Sequence, residues 1–151
     1  MEPITIRAGA EHATDVLVAD DNVDAADVLA FLLTDCGYRV QSAYDGLAAM
    51  KAADACRPAV AVLDIKMPGA TGHQVARWIR QQAWGGGTLL IALTAYGSPA
   101  DREQTRAAGF DVHLVKPASA SELIDLLRKP REATRSGGAL QPDRSPASAP
   151  A

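Results

Sequence analysis

The alternation of five short apolar runs with five longer amphipathic stretches constrains the fold of this chain more than any other feature. Strands that are buried on both faces are apolar at consecutive positions, and the short runs have this pattern. They cover residues 16–19, 39–43, 59–63, 88–93 and 111–115. The stretches that follow them have helical spacing and cover residues 23–36, 45–55, 71–83, 99–108 and 119–129. Five strand–helix repeats predict an α/β fold, a doubly wound five-stranded parallel sheet with helices on both faces.

The first predicted helix carries a one-sided apolar pattern that ends at Gly37, a residue type typical of a helix C-terminus. We expect its sheet-facing side to be formed by Ala25, Val28 or Leu29, Leu32 and Cys36. The cysteines, Cys36 and Cys56, are far apart and lack the CxxC spacing of a zinc or redox site. We therefore expect both to be small core residues of a reduced protein.

The two ends of the chain differ from the part between them. Residues 1–13 have no clear pattern and are interpreted as a flexible extension, followed by one folded domain at residues 14–129. Residues 130–151 contain four of the nine prolines and are otherwise rich in Ala, Ser and Gly. Such a segment buries too little apolar surface to offset its ordering entropy, so we expect a disordered tail.

Composition and charge exclude some classes of function. The net charge of the 151 residues is −3, and no basic stripe is present, which argues against nucleic-acid binding. No apolar run approaches the length of a membrane span, and the first fifteen residues do not have the pattern of a secretory signal. The sequence therefore predicts a cytoplasmic protein with neither a nucleic-acid nor a membrane partner.

Polar side chains stand at the ends of four of the predicted strands. Strand one ends in Asp20 and Asp21, strand three in Asp64, strand four in Thr94 and strand five in Lys116. Because ligands of an open parallel sheet bind at the carboxyl ends of its strands, we expect these five side chains to converge. The second strand ends in Ala43 and Tyr44 and adds no comparable polar group to this edge, as expected of a strand at the edge of the sheet.

Three clustered carboxylates repel one another unless a cation joins them, and their oxygens suit Mg²⁺. The ammonium of Lys116 and the hydroxyl of Thr94 are groups that a phosphoryl group would bind. A base that could activate a separate nucleophile is missing, so the simplest chemistry makes one carboxylate the nucleophile, forming an aspartyl phosphate. Asp64 is the better candidate, since Asp20 and Asp21 are adjacent and more naturally bind metal.

Four motifs, in this order and each at a strand end, resemble the receiver domain of two-component response regulators. They are VADDN (18–22), DIKMPGATG (64–72), LTA (93–95) and LVKP (114–117), the last with a cis peptide expected before Pro117. The resemblance covers Val16 to about Lys129. It implies the flavodoxin-like strand order 2-1-3-4-5.

The resemblance also implies a function. Asp64 would accept phosphate from a sensor or hybrid histidine kinase, or from a phosphotransfer protein, and Asp20, Asp21, Asp64 and the backbone carbonyl of Lys66 would bind Mg²⁺. Thr94 would move inward and change the face formed by helix four, strand five and helix five, which a downstream protein would bind. The domain would catalyse only its own phosphorylation and dephosphorylation. The cognate kinase stays open, as does whether the domain is free-standing or part of a hybrid kinase.

The switch position of the resembled family, three residues before the lysine, usually carries Tyr or Phe, and here it is His113. His113 is either a switch residue or a half-exposed bystander. Because burial favours the neutral imidazole, we expect inward packing of a switching His113 to become harder as pH falls. Tyr96, two residues after Thr94, either shields a phosphoryl group from water or is an ordinary loop residue.

Three other features carry no expected function. The glycines at 85–87 follow a helix and precede a strand, the reverse of a phosphate-binding loop, so they should form a connector at the opposite sheet edge. His12 and His73 have no partners at metal-ligand spacing and are interpreted as surface residues.

Two other classes of function fit less well. A phosphatase of the haloacid-dehalogenase type would need a second Asp two residues after the nucleophile, where this chain has Lys66, and the chain lacks a cap domain. A flavodoxin-like FMN binder would need an uncharged loop after strand one, where this chain has Asp20 and Asp21.

Overall fold

The computed structural model describes residues 15–128 of the chain. The predicted flexible extension at 1–13 and the predicted disordered tail at 130–151 lie outside the described residues. Five strands alternate with five helices, and their bounds agree closely with the prediction. The elements are β1 Val16–Ala19, α1 Val23–Asp35, β2 Val40–Ala43, α2 Gly46–Cys56, β3 Val60–Asp64, α3 Gly72–Gln81, β4 Leu89–Thr94, α4 Pro99–Ala108, β5 Val112–Val115 and α5 Ala120–Arg128.

The strands form one parallel sheet in the order β2-β1-β3-β4-β5, which confirms the predicted fold class and strand order. The three central strands β1, β3 and β4 are buried along their whole length, as their continuous apolar sequences predict. The edge strands β2 and β5 are partly exposed. Because the order reverses beside β1, the polar ends of β1 and β3 lie at the switch point where open sheets bind ligands.

Alternate residues of the central strands pack into two separate cores, one on each face of the sheet. Leu17 and Ala19 face the core that contains buried residues of α2 and α3. Val16 and Val18 face the core that contains buried residues of α1 and α5. The helices therefore cover both faces, and the carboxyl edge of the sheet is formed by the loops that leave the strands.

The predicted sheet-facing side of α1 is correct only at Leu29, the alternative to Val28, which is half-buried and packs against the core. The other predicted positions, Ala25, Leu32 and Cys36, are exposed, because the buried side is centred one residue away, which corresponds to a rotation of about 100°. The buried residues are Ala26 and Leu33, whereas Val28 and Leu32 are exposed. The helix is apolar around most of its circumference, so the spacing alone does not determine which side faces the sheet. Three of its exposed apolar residues, Val28, Phe31 and Leu32, are called the α1 patch below and have exposures of 59%, 69% and 39%.

The prediction that both cysteines are core residues is also wrong. Cys36 is exposed at the C-terminus of α1, and Cys56 is half-buried at the end of α2. The same rotation of α1 moves Cys36 away from the sheet.

Arg80 joins several segments at the amino edge of the sheet, opposite the polar strand ends. Its guanidinium donates to the backbone carbonyls of Gly109, Gly85 and Thr88 at 3.0, 2.7 and 2.8 Å, and to the Asp111 carboxylate at 2.8 Å. The glycines at 85–87 form a 3₁₀ turn just before β4. They are therefore a connector at this edge, as predicted.

Within residues 15–128, no helix combines the length and the apolar character that crossing a membrane requires.

Candidate functional site

The loops that follow β1, β3, β4 and β5 surround a cavity of about 530 Å³ at the carboxyl edge of the sheet. Asp21, Asp64, Thr94 and Lys116 line it, so the structure brings together side chains that are far apart in the sequence. The predicted ligand residue Lys66 and the predicted switch residue His113 line the same cavity. Asp20 lies beside it, next to Lys116.

The carboxylates of Asp20, Asp21 and Asp64 form a tight acidic group. One oxygen of each lies within 4.8 Å of the others. Asp20 and Asp64 are 3% and 5% exposed, whereas Asp21 is open to solvent. The adjacent Asn22 explains how β1 can end in two acids, because its backbone N–H donates to Asp20 at 2.9 Å and its side chain caps α1.

Lys116 supplies the positive charge that this acidic group needs. Its ammonium nitrogen lies 3.1 Å from an oxygen of Asp64 and 3.3 Å from an oxygen of Asp20. The peptide bond between Lys116 and Pro117 is cis, as predicted. One ammonium balances only part of three carboxylates, so the group keeps a net negative charge.

Burial and the neighbouring charges change the pKa values of Asp64 and Lys116. Burial and the nearby charge of Asp20 raise the pKa of Asp64 to about 6, against the opposing effect of Lys116. Burial acts to lower the pKa of Lys116, but its hydrogen bonds to Asp64 and Asp20 and their charges outweigh it and raise that pKa. A further cation beside Asp64 would favour its ionised form.

The start of α3 lies against the end of β3, and Gly72 makes this approach possible. A Cβ atom at Gly72 would lie 2.5 Å from the backbone carbonyl oxygen of Asp64. The Gly72 N–H donates to the Ile65 carbonyl at 2.8 Å, and Thr71 caps the helix. Gly72, the second glycine of the DIKMPGATG motif, therefore fixes the backbone next to Asp64.

Thr94 and Tyr96 also line the cavity. The buried Thr94 hydroxyl oxygen accepts a hydrogen bond from the Tyr96 N–H at 3.1 Å, which leaves its own proton free for another acceptor. The Tyr96 hydroxyl accepts a hydrogen bond from the Lys66 ammonium at 3.2 Å, and that ammonium lies 4.7 Å from the ring centroid. Lys66 and Tyr96 thus bridge the cavity at its mouth.

Two histidines reach the cavity from its far side. His113 on β5 is half-buried, and it bonds to the Tyr96 carbonyl and the Thr105 hydroxyl. His73, interpreted as a surface residue, is half-buried: the N-terminus of α3 places it in the cavity wall, edge-on to Phe110. Its Nε2 is buried without a hydrogen-bond partner among the described residues, and burial lowers its pKa.

Thr105 is the site residue that the sequence analysis missed. It is 3% exposed and lies on α4, eight positions before its partner His113. A threonine near the end of an amphipathic helix has no local feature that indicates such a partner. The contact depends on the distance between α4 and β5, which only the folded structure provides.

The three carboxylates of the site have the chemistry that binds a hard divalent cation. All three acids offer carboxylate oxygens, the ligands that Mg²⁺ prefers, and one of them is open to solvent so that bound water could complete the coordination. Burial and the charge of Asp20 both make ionisation of Asp64 costly, and a bound cation would offset that cost.

Comparison with known proteins agrees with the geometry. The family model for the response regulator receiver domain matches residues 16–128. The chain is 36% identical over 138 residues to the transcriptional regulatory protein TcrA of Mycobacterium tuberculosis. That alignment covers 86% of this chain and 53% of TcrA, so the chain spans about half the length of this relative.

Solved structures have the same fold. Chemotaxis protein CheY4 of Vibrio cholerae aligns with a TM-score of 0.72 and 31% identity, covering 76% of this chain and 96% of CheY4. The receiver domain of the sensor histidine kinase PA1611 of Pseudomonas aeruginosa aligns with a TM-score of 0.69 and 33% identity, covering 76% and 94%. That structure contains a magnesium ion in its active site cleft. The sequence match, the shared fold and the acidic strand-end site together show that this chain belongs to the response regulator receiver domain family.

Proposed function

We propose that this receiver domain accepts a phosphoryl group on Asp64 from the phosphohistidine of a histidine kinase or phosphotransfer protein. The observation that carries the proposal is the position of the Asp64 carboxylate, buried in an acidic group and 3.1 Å from the Lys116 ammonium. Its raised pKa of about 6 lies below 7, so Asp64 is mostly ionised at pH 7 and can act as a nucleophile.

The transfer exchanges one bond to phosphorus for another. A carboxylate oxygen of Asp64 attacks phosphorus, a P–O bond forms, and the P–N bond to the donor imidazole breaks, with the electron pair leaving on that nitrogen. The Lys116 ammonium stabilises the negative charge on one phosphoryl oxygen. The Thr94 hydroxyl donates its free proton to another oxygen.

Asp20, Asp21, Asp64 and the backbone carbonyl of Lys66 would hold Mg²⁺ in this site. The ion would supply positive charge that offsets carboxylate repulsion and the charge of the incoming phosphoryl group. The magnesium ion in the cleft of the PA1611 receiver domain supports this assignment, as does the solvent-open Asp21.

The α1 patch fits the docking of the phosphodonor protein. A groove of about 570 Å³ runs from Val28 and Leu32 of this patch to Asp20 and Lys116. A donor must place its phosphorus next to Asp64, so it must also cover this adjoining surface. An amphipathic helix that carries the phosphohistidine could bury its apolar side on Val28, Phe31 and Leu32.

The downstream partner is expected on another surface, formed by α4, β5 and α5. Val115 of β5 is 39% exposed there. Thr94 and His113 connect this surface to the cavity, so phosphorylation could change its shape.

Mg²⁺ and beryllium fluoride, a mimic of the phosphoryl group, test the proposal together. Millimolar Mg²⁺ should raise the melting temperature of the wild type by a few degrees, because it relieves the repulsion among the acids. Asp21→Asn should be more stable than the wild type without metal and should bind Mg²⁺ more weakly. Equal Mg²⁺ affinity in both proteins would show that the acidic group is not the metal site.

Beryllium fluoride should add a further increase in melting temperature only when Mg²⁺ and Asp64 are both present. Asp64→Asn should lose this increase, whereas Asp54→Asn, on an exposed position of α2, should keep it. Retention of the increase in Asp64→Asn would refute Asp64 as the acceptor.

A further inference from the structure

One side of α1 carries exposed apolar residues between two exposed acids. Asp24, Val28, Phe31 and Asp35 are spaced by four, three and four positions, so they follow one another along the same side of the helix. The two acids are about 16 Å apart along the helix axis, because a helix rises about 1.5 Å per residue. The α1 patch therefore lies between two negative charges.

Basic groups that would offset these charges are missing from this part of the chain. Residues 20–38 contain five aspartates and no Lys, Arg or His. The salt bridges among the described residues involve no acid of α1. The last turn of α1 also lacks a basic residue, the type that stabilises the negative C-terminal end of a helix. This side of α1 therefore fits a partner that is basic and that covers an apolar surface.

Residues 129–151, called the basic segment below, have the complementary charge. They contain four Lys or Arg residues and two acids. Two of the arginines, Arg131 and Arg135, are four positions apart, and an extended chain spans at most about 14 Å over that separation. This span is close to the separation of Asp24 and Asp35, and the length of the arginine side chains covers the difference.

The basic segment begins beside the C-terminal end of α1. Helix α5 ends at Arg128, and its buried Leu123 shares a core with Leu33 of α1. Burial raises the pKa of the Tyr38 hydroxyl, just beyond α1, and the charge of Arg128 acts against this rise, so the two side chains interact. Arg131 follows Arg128 by three positions, a reach of at most about 11 Å. The last turn of α1 is therefore within reach of Arg131.

We propose that the basic segment lies along α1, with Arg131 at Asp35 and Arg135 at Asp24, and covers the α1 patch. Each contact joins a guanidinium to an exposed carboxylate, and such a pair alone contributes little and is weakened by salt. Because the segment is tethered to the domain, both pairs form at a high effective concentration. A segment too polar to fold alone can bind in this way.

The chemistry of arginine also suits the apolar middle of this surface. Side chains of an extended segment alternate, so Ala133 would face α1 together with the two arginines, whereas Glu132 would face solvent. Phe31, which is 69% exposed, offers a ring on which a guanidinium can stack. The aliphatic part of an arginine covers further apolar surface. The contact therefore needs no large apolar residue in the basic segment.

The contact would slow phosphotransfer from a protein donor. This consequence rests on the proposed function, in which the donor covers the α1 patch and the adjoining groove. Asp24, Val28 and Leu32 line that groove, so a basic segment held at Asp24 occupies the same surface. A protein donor must displace the segment before it reaches Asp64. A small donor such as acetyl phosphate enters the cavity directly and meets no such competition.

Charge distinguishes the basic segment from other occupants of this surface. Residues 1–14 contain one arginine and two glutamates, so they do not have the net positive charge that α1 attracts. A second copy of the chain, packed through the same surface, would bring two acidic helices together. The test must separate both of these occupants from the basic segment.

Amide NMR spectra of the whole chain test the contact. Arg131→Gln combined with Arg135→Gln should shift the signals of Phe31 and Asp35 at least threefold more than the matched control Glu132→Gln, which removes a charge of the opposite sign. Raising the salt concentration from about 0.01 M to about 1 M shortens the Debye length from about 30 Å to about 3 Å, so it should abolish the difference from the wild type. Unchanged α1 signals in the double variant at low salt would overturn the proposal.

Two further measurements identify the occupant. Tenfold dilution should leave the difference between the wild type and the double variant unchanged, because the contact forms within one chain. A difference that fades on dilution would assign the surface to a second copy and overturn the proposal. Shifts of the α1 signals in Arg7→Gln but not in the double variant would assign it to residues 1–14, with the same consequence.

Phosphotransfer separates the contact from its consequence. At low salt, the double variant should accept phosphate from a histidine-kinase donor at least twofold faster than the wild type, and acetyl phosphate should label both equally. Equal kinase-dependent rates would overturn the competition. If acetyl phosphate with Mg²⁺ leaves Asp64 unlabelled, the proposed function fails and the competition fails with it, whereas the α1 signals still decide whether the basic segment binds α1.

Discussion

Asp64 carries a free-energy cost in the metal-free protein, since its carboxylate must ionise in a buried site beside Asp20. Burial and the charge of Asp20 raise its pKa to about 6, so the folded protein holds a proton that the unfolded chain releases near pH 4. The folded state binds more protons across this interval. The contribution of Asp64 to stability therefore falls as pH rises from 4 to 6.

Chemical denaturation at a series of pH values measures this effect. Without Mg²⁺, the free energy of unfolding should fall by roughly 2 kcal/mol through this window because of Asp64. Asp64→Asn has no titrating group at this position, so its stability should change much less with pH. Saturating Mg²⁺ should also reduce the slope for the wild type, since bound cation favours the ionised carboxylate. Parallel profiles for the wild type and Asp64→Asn would contradict the assigned pKa.

At the scale of single residues, the sequence predicted which polar side chains lie together, because strand ends are fixed by the sheet. Asp64 and Thr94 are the last residues of β3 and β4, and Lys116 follows β5 directly, so a correct strand assignment also placed these side chains at one edge. The partners of His113 and His73 depend on how α3 and α4 pack beside the sheet. No local pattern encodes those distances.

At the scale of an element, helix α1 shows that apolar periodicity alone does not determine which side of a helix is buried. Its sequence VDAADVLAFLLTD places apolar residues on nearly every side, and the structure buries only Ala26 and Leu33 fully. The unburied apolar side is the α1 patch. The ambiguity that made the predicted orientation wrong by one residue is therefore the same feature that leaves α1 with a surface for a partner.

Substitution of Phe31 tests this surface. Phe31 is 69% exposed, so Phe31→Ser should change the free energy of unfolding by no more than about 0.5 kcal/mol. Phosphotransfer from a histidine-kinase donor that labels the wild type should fall about tenfold, because docking loses an aromatic contact. Labelling by acetyl phosphate, which needs no docking surface, should be unchanged.

Leu47→Ser is the matched control for this experiment, since Leu47 is 59% exposed on α2. It should leave both kinds of labelling near the wild-type level. A loss of kinase-dependent labelling as large as that of Phe31→Ser would argue against a specific role for the α1 patch.

Arg80 on α3 holds the opposite edge of the sheet together. Its side chain is 20% exposed and donates to three backbone carbonyls and one carboxylate. Arg80→Leu leaves these acceptors without their donor, so we expect a loss of about 2–4 kcal/mol in the free energy of unfolding. Arg77→Ala, at an exposed position of the same helix, should cost less than about 0.5 kcal/mol. Similar losses in urea denaturation for both variants would show that Arg80 is not a structural clamp.

At the scale of the whole molecule, the Arg80 contacts that stabilise the domain and the residues of the candidate site lie at opposite edges of the parallel sheet. Arg80 and the glycine turn lie at the amino edge, whereas the acids, Thr94 and Lys116 lie at the carboxyl edge. The pattern of five strand–helix repeats was enough to predict this arrangement, since parallel connections bring all strand ends of one kind to one edge. The separation predicts that substitutions at the carboxyl edge alter phosphorylation without unfolding the domain.

Intact-mass spectrometry after incubation with acetyl phosphate and Mg²⁺ tests the central claim most directly. The wild type should gain the mass of one phosphoryl group, and chelation of Mg²⁺ should prevent the gain. Asp54→Asn should be labelled like the wild type, whereas Asp64→Asn should remain unlabelled although it folds. Labelling of Asp64→Asn to the wild-type level would contradict the account, because the phosphoryl group would then reside on a residue other than Asp64.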